Sequence, residues 1–410
     1  MSKYLKILVA ALAVVALATP AVALTLDAKG LMIIRGIASD NVRDAQDESG
    51  GAFDDARSAF DQRFRLLTSA AVSDAVKMVV ELEADYTWGD AGGGALRADN
   101  RDEIELRSAY LDFTTMDANF KVGTQTFKLG NGYIIGEQAT GINVKYRGLG
   151  LSYIKASEGD TGSAGDERDY FGASYAIKAG DFTITPEIGY LNANDLDADA
   201  YIFGASAKGK VDKLTLEATL LFNSWEEDTT NNDGMGTAAF AKALYVDGPT
   251  SFGISAAYVG DEDATNGEFI DVDGFQNWSE LLTGGEFGSM GGAGYGYLDG
   301  KGTAYPLTTS PPGYYYSNYM YVKLDAGTRL FNEKSGIRVA YIYAQEAADS
   351  PNGDDAMTFG HEIDAYFDYT ITKGLKWTTG GGYLLADDDM AASGDADNMW
   401  KLGTKLTYVF

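Results

Sequence analysis

Residues Val76 to Trp88 pose the structural problem that the rest of the chain has to solve. Val76, Met78, Val80, Leu82, Ala84, Tyr86 and Trp88 alternate with Lys77, Glu81, Glu83 and Asp85, and a two-residue period puts these sets on opposite faces of a β-strand. One face is apolar and the other is charged. The same alternation returns at 214–222, 252–258 and 359–369, and each run approaches the ~9–11 residues that a tilted strand needs to cross a bilayer. No apolar stretch beyond the N-terminus is long enough for a membrane helix, which needs about 20 residues.

The pattern predicts eighteen strands, near 30–38, 58–71, 76–88, 102–114, 119–128, 141–147, 149–157, 169–178, 181–191, 200–209, 213–224, 237–246, 251–260, 313–330, 336–346, 358–370, 374–386 and 398–410. The sixth and seventh are short, and merging them with neighbours leaves sixteen. Both counts are even, as termini on one side require. Connections alternate in length. Tight turns such as Val72-Ser73-Asp74-Ala75 and Asp247-Gly248-Pro249-Thr250 follow even strands, and longer segments follow odd ones, the longest running over 261–312.

Charge follows the same division. The nine long connections hold 37 acidic and 6 basic residues, and the rest of the chain after residue 23 holds 23 and 24. Short periplasmic turns opposite long external loops are the plan of an all-β, transmembrane, antiparallel up-and-down barrel. Residues 24–410 are read as one such barrel, with the Gly-rich stretch at 284–302 as a loop insert. A soluble sandwich or propeller has no comparable reason to segregate charge.

Lys3 and Lys6 precede an apolar run over 7–18, and Ala21 and Ala23 supply the small residues of a cleavage site. Residues 1–23 therefore read as a cleaved signal peptide. The net charge of −28 argues against nucleic-acid binding. The absence of cysteine excludes thiolate metal sites and cysteine nucleophiles, so no cofactor is expected. Weak divalent cations at the acidic loops, at Asp195, Asp197, Asp199 and Asp387 to Asp389, are the one exception; they would bridge to lipopolysaccharide.

At the C-terminus Trp400, Leu402, Leu406, Tyr408 and Phe410 share one face. Lys401, Gly403, Leu406, Tyr408 and Phe410 at these spacings look like the signal read by the barrel assembly machinery. Together with the signal peptide and the segment NFKVGTQTFKLGNGY at 119–133, this end resembles gram-negative porins, most nearly the homotrimeric outer-membrane porins of sulfate-reducing bacteria. The resemblance implies a multi-pass outer-membrane homotrimer with a water-filled channel for passive diffusion of ions and small hydrophilic solutes. It also implies an inward-folded third loop, about 129–140, following Val122-Gly123-Thr124-Gln125. Here Ile135-Gly136-Glu137-Gln138 stands where general porins carry Pro-Glu-Phe-Gly.

Arg35, Arg63, Arg65, Arg107 and Lys121 cluster in the first five strands. Arg63 and Arg65 share a face opposite Phe64 and Leu66, and the expectation is a constriction in which these cations confront Glu137 across a transverse field. The alternative is that they pair with Glu81, Glu83, Glu103 and Glu105 and only stabilise the wall. Tyr86, Trp88, Trp377, Tyr383 and Trp400 are expected at the membrane interfaces. The tyrosines at 314–316, 319 and 321 are expected there too, with a sugar-stacking track as the alternative. Two rival functions remain. One is an outer-membrane lipid hydrolase using His361, the single histidine; against it, His361 has no nucleophile setting nearby and reads as interfacial. The other is a surface binding or adhesin barrel acting through 261–312.

Overall fold

The computed structural model describes residues 25–42, 56–88, 104–136, 138–158, 167–193, 198–227, 232–260, 277–288, 298, 318–331, 333–348, 356–390 and 396–410. Residues 1–23, Glu103, Glu137, Asp195, Asp197 and the tyrosines at 314–316 lie outside them.

The alternating runs form nineteen β segments: β1 (Thr25–Asp40), β2 (Arg57–Ser73), β3 (Val76–Thr87), β4 (Glu105–Thr115), β5 (Ala118–Thr126), β6 (Gln138–Tyr146), β7 (Leu149–Glu158), β8 (Glu167–Tyr175), β9 (Ile177–Ala179), β10 (Phe182–Ala193), β11 (Ala198–Val211), β12 (Leu214–Glu227), β13 (Asn232–Asp247), β14 (Thr250–Gly260), β15 (Tyr319–Leu330), β16 (Ser335–Gln345), β17 (Thr358–Thr372), β18 (Leu375–Ala386) and β19 (Met399–Val409). β8 and β9 both pair with β10 and are halves of one strand interrupted at Ala176. The sheet thus has eighteen strands. Each is antiparallel to its neighbours, and β1 pairs with both β2 and β19, which closes the barrel. The sixteen-strand alternative falls, because β6 and β7 are separate strands joined by a tight turn at Arg147-Gly148.

The tight turns share one end of the barrel, and the chemistry of the turn residues shows how they close. Met116 and Asp117, between β4 and β5, have φ of 49° and 63°. Such left-handed pairs match the twist of a two-residue hairpin.

Register assigns the faces. Phe64, Leu111, Ile188, Phe252, Leu324 and Leu402 point outward, and Ile188 is 64% and Leu402 59% exposed. An apolar outer surface of this extent is stable only against lipid. Their alternates point inward, where Arg63, Glu83, Tyr321, Glu362 and Lys401 line the interior.

The closing seam runs from Leu31 opposite Val409 to Asp40 opposite Trp400. Below it, Gly30 and Phe410 exchange backbone hydrogen bonds of 2.9 and 3.1 Å. A Cβ on Gly30 would fall inside the Phe410 ring, so a bare backbone is required where the terminal aromatic lies across the seam. Residues Thr25 to Lys29 extend further and, among the described residues, pair only with β2.

Candidate functional site

The lumen is asymmetric. Two segments from the connections after β5 and β14 lie against its inner wall, and a third stretch of wall is covered by none of the described residues.

The first segment, 127–136, leaves β5 and doubles back through a backbone bridge in which Leu129 N–H donates to Ile135 O at 3.0 Å. Its tip is a Gly130–Gly132 turn. There Gly130 N–H donates to Glu187 on β10 at 3.0 Å, and a Cβ on Gly130 would stand 2.8 Å from Leu221 of β12. Tyr133 packs against Phe240 of β13 with ring centroids 6.1 Å apart. Phe127, Ile134 and Ile135 are each buried to 1% exposure, so apolar burial holds the segment across several strands from its origin.

The second segment, 277–288, belongs to the 261–312 connection and is held by charge. Glu362 on β17 accepts from Ser279 Oγ at 2.5 Å and from the Glu280 and Leu281 N–H groups at 2.8 Å each. Glu280 accepts from Glu286 N–H at 2.7 Å and from Tyr366 Oη at 2.8 Å, and it pairs with Lys401 at 3.3 Å, both side chains being fully buried. Lys401 donates to Glu280 O at 2.6 Å and to Gly284 O at 3.3 Å. Lys323 reaches Trp278 O at 2.7 Å. Glu286 pairs with Lys405 at 2.7 Å and Arg338 at 3.2 Å, and Arg35 donates to Gly288 O. Burial pushes the Glu280 carboxyl above its usual range, against the pull of Lys401 and the Tyr366 hydroxyl. Burial acts on Glu286 in the same sense, but Lys405 and Arg338 outweigh it and hold that carboxyl low.

Shape completes the fit. Gly380, Gly382 and Gly403 face inward on β18 and β19, and a Cβ on Gly403 would fall inside the Phe287 ring. Trp278 stacks on Tyr321 with centroids 4.4 Å apart. One buried apolar cluster includes Tyr133, Trp278, Tyr319 and Tyr321, so the two segments share a core on this side.

The open wall is formed by β2 to β5. Arg63 Nε donates to Asp85 at 2.8 Å, Arg65 pairs with Glu83, and Arg107 lies 3.2 Å from Glu83 and 3.7 Å from Glu81. Lys121, one strand further, sits 5.4 Å from the Tyr110 ring centroid and opposite Asp112. Arg63, Arg65 and Arg107 keep about a fifth of their side-chain surface exposed. These cations are ion-paired with wall carboxylates and line the stretch of wall that no described segment covers; Glu137, which the constriction reading needs opposite them, lies outside the described residues.

Some predicted residues stand elsewhere than expected and others where the period placed them. Arg35 is 2% exposed, held between Asp61 and Gly288 O, and does not face the open wall. Leu406, Tyr408 and Phe410 point outward, whereas Lys401 and Gly403 of the same predicted signal point inward and hold the 277–288 segment. Tyr319 and Tyr321 belong to the lumen rather than to a membrane interface, because they occupy the inward parity of β15 and are 7% and 4% exposed. His361 points outward, its Nδ1 2.8 Å from Tyr341 Oη. Glu137, Ala21 and Ala23 fall outside the described residues. Glu280, Glu286 and Glu362 were missed; the signal that could have found them is the run of inward glycines at 380, 382 and 403, which leaves space for something to fill.

Comparison with known proteins agrees with this architecture. Residues 306–410 match a family described as oligogalacturonate-specific porin protein, KdgM. OpdL of Pseudomonas aeruginosa superposes with a TM-score of 0.56 at 13% identity, covering 94% of this chain and 99% of that one. OccK2 (OpdF) of the same organism, solved in complex with glucuronate, gives 0.55 at 10% identity over 94% and 96%. OccAB2 of Acinetobacter baumannii gives 0.53 at 14% over 94% and 98%. No curated protein matches the chain significantly. The closed eighteen-strand antiparallel barrel is the architecture of these outer-membrane proteins, and the family match over the last strands is to a porin.

Proposed function

We propose that this channel passes ions and small hydrophilic solutes by diffusion along the wall of β2 to β5. The observation that carries the reading is the asymmetry of the lumen: the inner wall of β10 to β13 and of β15 to β19 is covered by the two docked segments, while Arg63, Arg65 and Arg107 stay partly exposed. Three arginines interleaved with Glu81, Glu83, Asp85 and Glu105 give this path a strong local field and no net positive charge. An acidic sugar appears in the description of the matched family and as the ligand of OccK2, but an open wall with carboxylates at least as numerous as arginines favours unselected small solutes over acidic oligosaccharides. The acidic long connections add a cation preference at the mouth that fades as salt screens it.

The test is single-channel conductance of purified protein in a planar bilayer, with reversal potentials across a salt gradient. Stepwise openings with weak selectivity support the reading; silent membranes with verified insertion would overturn it. A homotrimer, and the narrower kinship with porins of sulfate-reducing bacteria, belong to the same reading, and openings in threes are the trimer's test.

A further inference from the structure

We propose that the 277–288 segment is a fixed clasp across the closing seam of the barrel, with Glu362 and Lys401 as its positioning residues, so that a docked element rather than a moving gate sets the pore's cross-section on that side. This rests on the channel reading above and adds what holds the channel's shape.

The argument begins with where the segment's bonds go. In order along the chain, Trp278 is held by Lys323 on β15, Ser279 to Leu281 by Glu362 on β17, and Glu280 by Tyr366 on β17 and Lys401 on β19. Glu286 is held by Arg338 on β16 and Lys405 on β19, and Gly288 by Arg35 on β1. The last contacts straddle the junction of β19 and β1, where Lys401 stands opposite Ser39 and Lys405 opposite Arg35 in the register. Twelve residues thus tie the first strand to the last from inside.

The kind of bond matters as much as its place. A gate needs contacts that exchange readily with water. Here the partners are an acidic and a basic side chain at zero exposure, bonded to backbone amides and carbonyls. Releasing the segment would hand Glu362 and Lys401 to lumen water only by breaking all of these bonds at once, since one short segment carries them together. Glu362 alone satisfies two backbone N–H groups and one hydroxyl, bonds of the stronger, charge-assisted class. Phe287 fills the space that Gly403 leaves, so shape and charge fix the same register.

The chain has no cysteine, which permits a direct test. A Phe287→Cys, Gly403→Cys pair lies within disulfide reach, because the Phe287 ring occupies the place of a Gly403 side chain. Because Phe287 and Gly403 themselves help to seat the segment, the reference is the oxidised pair, whose conductance and current noise are expected to equal those of the unsubstituted protein. Adding Glu362→Gln and Lys401→Met should then separate the two states. Reduced channels conduct about two-fold more or better, and noisily, while oxidised channels return to the former value. Heat-dependent mobility on a denaturing gel verifies that each variant forms a barrel. An oxidised pair that is quieter or narrower than the unsubstituted protein would show that the segment moves, and would overturn the clasp. So would equal conductance of the reduced and oxidised quadruple variant. Failure of the wild-type protein to conduct at all would instead strike the channel reading.

Discussion

Two walls of one lumen carry similar residues and use them differently. On β2 to β5, Arg63, Arg65 and Arg107 meet carboxylates from the neighbouring strand side chain to side chain, with part of each guanidinium still in solvent. On β15 to β19, Lys401 and Glu362 meet the backbone of a folded-in segment and are fully buried. Cross-strand ion pairs whose guanidinium groups keep part of their surface in water are partly screened even though Glu83 beneath them is buried, which leaves the arginines available to shape a field. Buried charges bonded to backbone have no such freedom and act as fixtures. Inward parity alone therefore does not make a charged residue part of the path.

The comparison breaks most visibly at Lys401. Lys401→Met leaves Glu280 buried without its counter-ion, and a loss of about 3–5 kcal/mol is expected, read as a lower unfolding temperature on a heat-modifiability gel. An effect no larger than that of a surface lysine would erase the distinction between the walls. Glu362→Gln keeps the shape but weakens three charge-assisted bonds, and should cost about 1.5–3 kcal/mol in the same assay.

Acid sharpens the contrast within the clasp. Glu286 is held below its usual range, so its contribution is complete above the ordinary carboxylate pKa of about 4.3 and is lost as pH falls through its lower docked value. Glu280 is raised, so on its account docking tightens as pH falls toward about 4.3. Facing them are Lys401, Lys405, Arg338, Tyr366, Glu362 and Asp368. Conductance should therefore stay low on mild acidification and rise only at strongly acid pH, and Glu286→Gln should remove that late rise. The smallest effect belongs to the open wall: Arg63→Ala with Arg65→Ala should change stability by less than about 1–2 kcal/mol yet shift the reversal potential toward cation preference. Unchanged selectivity would remove these arginines from the path.

Strands were legible because a two-residue period survives in any single segment, as at Val76 to Trp88, and needs no knowledge of neighbours. The pairing of Arg63 and Arg65 on one face followed from the same period. Parity also places Tyr319 and Tyr321 inside, since Met320, Val322 and Leu324 take the lipid side; the general enrichment of tyrosine at membrane interfaces points the other way. The destination of 277–288 was not legible in its own residues, because a Gly-rich stretch has no periodicity to assign. What determines its place lies at a distance in sequence, in Glu362, Lys401 and the inward glycines of β18 and β19, and such long-range complementarity appears only once the register brings those strands together.

Among the described residues the stretch from Thr25 to Lys29 is bonded along one side only, and that edge has a consequence for how the barrel sits in its membrane. Hydrocarbon offers nothing to an unpaired N–H or carbonyl, so a bare sheet edge cannot be submerged in it. The five residues below the Gly30 and Phe410 junction must stand in water or among headgroups, and Asp27 and Lys29, 3.6 Å apart and well exposed, suit that setting. The seam thereby marks a waterline: on this flank the hydrocarbon boundary can descend no further than Phe410, which limits both the depth and the tilt at which the barrel floats.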